Sequence, residues 1–153
     1  MSDKLTIREY RNDDYDTLKS MIFGLAQEDT DPSEKGYAMP ESKIIKTVER
    51  SFSHPDQVQI KIFEVNKTIA GYALLTFYWS NEYNGIVVIL DEFYVMPHFR
   101  SKGIGSKFIA YLSQQTDYKI IQLEVFNTNT KAVKLYEKSG FEVVNRHFMN
   151  KKL

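Results

Sequence analysis

Residues 90–108 read LDEFYVMPHFRSKGIGSKF, and this stretch decides the fold. From Ile86 to Val95 the chain is apolar except at Asp91 and Glu92. Such a run suits a central strand covered on both faces, and Pro97 ends it. The two acidic residues are adjacent, so regular strand alternation puts them on opposite faces. After the strand comes a short loop, Arg100 to Gly105, and then Ile104, Phe108, Ile109 and Leu112 at helical spacing, which predicts a helix from Gly103 to Gln115. Gly103 and Gly105 let backbone amides approach an anion without Cβ obstruction. The helix N-terminus adds partial positive charge, and Arg100 and Lys102 add full charges. This suits a pyrophosphate. A tight strand–helix turn with exposed basic residues explains the same glycines equally well on packing grounds. The loop lacks the Gly-Lys-Ser/Thr ending of a Walker loop and the third glycine of a nicotinamide fingerprint.

A second stretch, LEVFNTNTKAVKLYEKSGFEVV at residues 123–144, repeats the strand-to-helix arrangement. Ile120 to Val125 reads as a strand and Thr130 to Ser139 as a helix. Asn129 is placed to cap it and Gly140 takes the C′ position. Taken alone, Tyr136 is an amphipathic-helix tyrosine and Asn129 a cap.

Working outward, Leu5 to Tyr10 alternates as a strand. Asn12, Asp13 and Asp14 supply cap chemistry for a helix carrying Leu18, Met21, Ile22 and Leu25, which Gly24 weakens near its end. Residues 28–39 read as an acidic loop, and Glu41 to Phe52 as a second helix. Val58 to Val65 and Thr68 to Ser80 form a hairpin about Asn66-Lys67. Phe141 to Leu153 reads as one or two closing strands. The result is an α/β chain with a mixed central sheet flanked by helices, one domain across residues 1–153.

Composition sets the remaining bounds. Lysine plus arginine equals aspartate plus glutamate at 20 each, which argues against a nucleic-acid partner. There is no cysteine, hence no disulfide, thiolate metal site or cysteine nucleophile. The N-terminus is too polar for a signal peptide, and Ile86 to Leu90 is far short of the ~20 apolar residues a membrane helix needs. These features lead us to expect a cytoplasmic protein with no membrane and no metal.

Taken together, the two motifs resemble the GCN5-related N-acetyltransferase superfamily. They are R-x-x-G-x-G after a strand ending Tyr94-Val95-Met96-Pro97, and N-x-x-A-V-x-L-Y-E-K-x-G-F. The resemblance runs from about residue 68 to 145, and LDEFYVM is similar to diamine acetyltransferases. It implies a GNAT-like acyl-CoA N-acyltransferase fold and acetyl-CoA as cosubstrate. By this resemblance the pyrophosphate sits on the amides of Arg100, Ser101, Lys102, Gly103, Ile104, Gly105 and Ser106. Its pantetheine arm lies along the backbone of Phe93, Tyr94 and Val95, and Asn129 contacts it.

The resemblance also makes Tyr136 the proton donor to the leaving thiolate. An alkylamine of pKa near 10 is mostly protonated at pH 7, so a base is expected. Asp91 is the first candidate, then Glu92, then Glu124. Each carboxylate has an equally good structural reading as a hydrogen-bonded acceptor. Glu28, Asp29, Asp31 and Glu34 are placed to wall the acceptor site, as are Tyr78, Trp79 and Tyr83, although a solvated loop and simple packing account for them too. The expected function is acetyl transfer to a small cationic amine, polyamine- or aminoglycoside-like. Acetylation of a protein N-terminus or lysine, or non-catalytic acyl-CoA binding, are the competing readings. A homodimer is compatible with all of them.

Overall fold

The computed structural model describes residues 3–28 and 39–153. Its elements run β1 (Leu5–Glu9), α1 (Tyr15–Glu28), α2 (Glu41–Ser53), β2 (Val58–Val65), β3 (Thr68–Ser80), β4 (Gly85–Val95), α3 (Ile104–Ser113), β5 (Tyr118–Leu123) and α4 (Thr130–Lys138), with short 3-10 turns at Asn12–Asp14 and Pro97–Phe99. The strands lie in chain order in one sheet. β1 to β4 pair antiparallel and β5 joins β4 in parallel, so the sheet is mixed as the element pattern predicts. The β2–β3 turn places Asn66 and Lys67 at positive φ (51° and 69°), the backbone a tight two-residue hairpin needs.

Alternation along the strands feeds two cores. On one face Leu18, Met21 and Ile22 of α1 and Ile44 of α2 pack on Ile60, Ile62, Tyr72 and Tyr94. On the other, Ile104, Phe108 and Leu112 of α3 pack on Phe63, Leu75, Val88 and Leu90. β3 and β4 are therefore covered on both sides, which accounts for their continuous apolar runs.

One irregularity matters more than any regular element. Leu74 of β3 pairs with Glu92, and Leu75 pairs with Leu90, leaving Asp91 as the extra residue of a β-bulge. The expected opposite facing of Asp91 and Glu92 is thus incorrect. The bulge breaks the two-residue alternation, and both side chains line the same cavities.

Other boundaries shift as well. α1 continues past Gly24 to Glu28, and β5 starts at Tyr118 and stops at Leu123, short of Val125. The closing strands expected over Phe141 to Leu153 are absent. These described residues carry no helix or strand, because no strand pairing joins them to the five-stranded sheet. Asp29, Asp31 and Glu34, expected at the acceptor wall, lie outside the described residues.

Candidate active site

β4 and β5 pair from Ile86↔Tyr118 to Leu90↔Leu123 and no further. Beyond Leu90, past the bulge, the two strands separate. Between Asp91–Val95 on one side and Glu124–Phe126 on the other lies a cleft of about 790 Å³. That volume falls in the ~300–1,000 Å³ range of ligand sites. The edge of β4 facing the cleft has lost its strand partner, so its backbone at Phe93, Tyr94 and Val95 is placed to receive an extended ligand as a strand would be received.

The loop before α3 closes one end of the cleft. Gly103 is the N-cap of α3 at φ 77°, a left-handed conformation that glycine adopts without strain, and no side chain caps the helix. The first-turn amides of α3 are therefore left for a ligand or solvent, and Ser101, Gly103, Ile104, Gly105 and Ser106 all line the cleft. Gly105 serves a second purpose. A Cβ there would lie 2.8 Å from Leu135 Cδ2, so the missing side chain lets α4 close against α3.

The two basic residues of the loop behave differently from each other. Arg100 lines the cleft, but its Nε donates to the Val95 carbonyl at 2.8 Å and its Nη2 to the Glu28 carboxylate at 2.7 and 2.9 Å. Its guanidinium also lies over the Tyr94 ring. It braces α1 against the end of β4. Lys102 is not among the residues lining the cleft; its Nζ lies 3.8 Å from Asp3 and over the ring of Phe99, which does line it. Positive charge reaches the cleft from α4 instead. Lys131 lies 3.4 Å from the Ser101 hydroxyl, and Lys134 and Lys138 line the same wall. These lysines were missed from sequence, although their spacing of three and four residues on one helical face is visible there.

Asn129 caps α4, accepting from the Ala132 amide at 3.3 Å, and borders the cleft. Tyr136 lies on the same wall, its ring edge-on to Phe141 at 5.5 Å between centroids. Asp91, Glu92 and Glu124 line the cleft as well. Burial raises the Asp91 carboxyl above its ordinary value, and the nearby charge of Glu124 raises it further. Glu92 accepts a 2.7 Å hydrogen bond from the Tyr72 hydroxyl. Tyr72 is fully buried. Burial first, and then the Glu92 charge, pushes its phenol far above the ordinary range.

A second cavity, of about 190 Å³, opens on the other side of the same carboxylates. Its walls are mainly apolar, from Leu18 and Ile22 of α1, Ile44 and Val48 of α2, and Ile60 and Leu74 of the sheet, with Lys43 and Thr47 of α2 as polar members beside the two carboxylates. Asp91 and Glu92 line both cavities, so the two spaces meet at this pair. Tyr78, Trp79 and Tyr83 do not join them. Tyr78 and Trp79 pair with Val87 and Ile86 at the far end of β4 and are exposed, with the Tyr78 hydroxyl on Gln122.

A family model described as acetyltransferase (GNAT) family matches residues 20–141. The chain belongs to the GNAT acetyltransferase family. A probable spermine N(1)-acetyltransferase from Bacillus subtilis subsp. natto is 35% identical over 77 residues, 48% of this chain and 50% of that one. Thialysine N-epsilon-acetyltransferase of Mus musculus is 37% identical over 75 residues, 47% of this chain and 44% of that one. The chain spans about half the length of these curated relatives. Among solved structures, a possible acetyltransferase from Clostridium difficile 630 superposes with a TM-score of 0.81 at 22% identity, covering 97% of both chains. AAC(6')-Iy, solved with a bisubstrate analogue, CoA-S-monomethyl-acetylneamine, gives 0.76 at 18% identity over 98% of this chain and 99% of that one. Both share the GNAT fold with this chain. Among the described residues of this GNAT domain, no helix is long and apolar enough to cross a membrane and no cluster of acidic or histidine side chains could hold a metal ion.

Proposed function

We propose that this chain transfers the acetyl group of acetyl-CoA to the primary amine of a small cationic acceptor in the cytoplasm. The observation that carries this reading is the meeting of two cavities at Asp91 and Glu92. One cavity is long, bordered by uncapped helix amides, lysines and a free strand edge. It suits a phosphorylated cosubstrate with an extended arm. The other is small and mainly apolar, with two carboxylates in its lining beside Lys43 and Thr47, which suits an alkylamine. Names of the relatives, acting on spermine and thialysine, agree with a flexible aliphatic amine. The small volume favours such an arm over a sugar ring entering whole, so a polyamine-like acceptor precedes an aminoglycoside-like one.

Acetyl-CoA supplies an activated thioester carbonyl. The chain's own residues then do the following. The α3 amides and Lys131 hold the phosphates, and the Phe93–Val95 backbone aligns the arm and offers a donor to the thioester oxygen. Asp91, in its carboxylate form, attracts the ammonium and accepts its proton, directly or through water. Glu92, tethered by Tyr72, adds negative charge at the junction. Tyr136 of α4 donates a proton to the departing thiolate, whose ordinary pKa of ~8.5 makes it a tolerable leaving group.

The test is a thiol-release assay with acetyl-CoA against spermidine, spermine, thialysine, simple diamines, aminoglycosides and peptides with free N-termini. Turnover of the flexible amines over the peptides is expected. Turnover of peptides alone would move the chain to the protein-acetylating readings. Tight acetyl-CoA binding with no turnover on any amine would make it a binding module.

A further inference from the structure

The smaller cavity holds charges of both signs. Asp91 and Glu92 reach it from β4, and Lys43 and Thr47 reach it from α2. Lys43 is the one cation of its lining among the described residues. The Thr47 hydroxyl donates to the Lys43 carbonyl at 2.9 Å, so its proton is spent within the helix. Glu41, the acidic residue of the same helical turn, accepts from Tyr15 and Lys19 and does not line the cavity. Lys43 is exposed as a whole, yet it contributes to a mainly apolar wall. A lysine does this by laying its methylene stem on apolar surface and keeping its ammonium in water, which puts the charge at the mouth.

The cavity is also short of room. Its volume of about 190 Å³ is below the ~300–1,000 Å³ of sites that take larger ligands, so an acceptor that fits it has only a few carbons beyond its amine. The amine is drawn to Asp91 and Glu92, which border the cosubstrate cleft too. The far end of so short a molecule then lies in the field of Lys43. A second ammonium there is repelled, and the two ends of a diamine compete for the same carboxylates. A carboxylate there is attracted, and opposite signs at the two ends select one orientation, with the amine toward the cleft.

We propose that the acceptor is a short aliphatic amine that also carries a carboxylate, and that Lys43 is the specificity-determining residue that receives this carboxylate at the mouth of the cavity. The inference rests on the acetyl-transfer reading above and adds to it the acceptor's second functional group. Within the flexible amines of that reading, it places amino acids with a terminal side-chain amine ahead of diamines. Lys43 touches none of the reacting atoms. It acts on which acceptor binds and in which direction, so its effect belongs in KM and leaves the chemical step alone.

The experiment measures kcat/KM by thiol release at saturating acetyl-CoA for three acceptors of matched length: ε-aminocaproate, its carboxamide and hexamethylenediamine. We expect ε-aminocaproate to exceed the diamine about tenfold, with the carboxamide between them, since one attraction is gained and one repulsion avoided at an exposed site. The difference should lie in KM and shrink in ~1 M salt, where charges are screened within ~3 Å. Lys43→Met should level the three acceptors and Lys43→Glu should favour the diamine, both with wild-type acetyl-CoA affinity by calorimetry. Methionine and glutamate suit a helix as well as lysine does, and the position is exposed, so both variants should fold. A wild type that favours the diamine overturns the inference, as does a preference for ε-aminocaproate that survives Lys43→Glu. Thiol release only with acceptors outside this series overturns the inference and leaves acetyl transfer standing. No release with these or any other amine overturns both.

Discussion

The Tyr72 hydroxyl donates a 2.7 Å hydrogen bond to Glu92 Oε2 from a site where the tyrosine is fully buried. This contact separates the two adjacent carboxylates at the junction. Glu92 is tethered from within the core, whereas Asp91 is the extra residue of the bulge and lies near Glu124. Tyr72→Phe removes the donor and little else. Hydrogen bonds to charged groups contribute about 1.5–3 kcal/mol, so the variant should lose stability in that range. Urea unfolding should show a lower midpoint at unchanged slope. An unchanged midpoint would mean the tether carries no weight.

Gly103 tests the phosphate end. Its ideal Cβ meets nothing within 4 Å, so a side chain has room but must accept φ 77°. Gly103→Asn tolerates that region and should keep acetyl-CoA affinity within a few-fold. Gly103→Glu brings a negative charge to the uncapped helix start and should abolish measurable binding while the fold persists. Calorimetry on the two variants decides it. Equal affinity in both would place the phosphates elsewhere.

Tyr136→Phe keeps the ring against Phe141 and deletes the hydroxyl. If the hydroxyl protonates the thiolate, kcat should fall ~10²-fold with cosubstrate affinity preserved. Pre-steady-state rates that match the wild type would reduce Tyr136 to a packing residue.

The sequence carried the sheet, the helices and both cleft-forming motifs because each is a local pattern: apolar runs, helical spacing, a glycine before a helix. What it hid depends on partners distant in the chain. The bulge at Asp91 exists only in the pairing of β4 with β3, so alternation within one strand could not reveal it. Arg100 is drawn to Glu28, 72 residues away, and no motif records that choice. The 141–153 segment has strand-forming residues, but a strand needs a partner as well as a propensity, and these residues carry none of the sheet's pairing. Lys131 and Lys134 are a different case, since their spacing was readable and only their alignment with the loop was not.

Asp14 makes a stability prediction with a defined pH window. Its buried carboxylate accepts 2.8 and 2.9 Å hydrogen bonds from Arg8 and one from the Arg11 amide, while Arg8 also reaches Glu64. The Arg8 hydrogen bonds hold the Asp14 carboxyl below its ordinary value, overcoming the opposing effect of burial. A carboxyl depressed in the folded state stabilises fully above its unfolded pKa of ~3.9, and that stabilisation disappears as pH falls through the folded value. Asp14→Asn should therefore cost about 1–3 kcal/mol at pH 7, and the gap to wild type should narrow below pH ~4. A gap constant between pH 7 and pH 3 would mean the effect is packing and not charge.

Asp91 reports on catalysis by the opposite shift. Burial raises its carboxyl above the ordinary aspartate value, and Glu124 raises it further. The ionised form needed to accept a proton is therefore lost at a higher pH than for a free aspartate. The acid limb of kcat/KM should lie above pH ~4. Glu124→Gln removes the second cause and should move that limb downward. Asp91→Asn keeps the size of the side chain but removes its charge and basicity. Its kcat/KM for amines should fall ~10²–10⁴-fold at pH 7, with acetyl-CoA affinity barely changed. Residual activity of this variant should climb with pH, because the neutral amine then arrives without enzymatic help. Equal activity of Asp91→Asn and wild type, with Glu92→Gln or Glu124→Gln crippled, would transfer the base to that residue. Full activity in all three carboxamide variants near pH 7 would leave deprotonation to solvent before the amine binds.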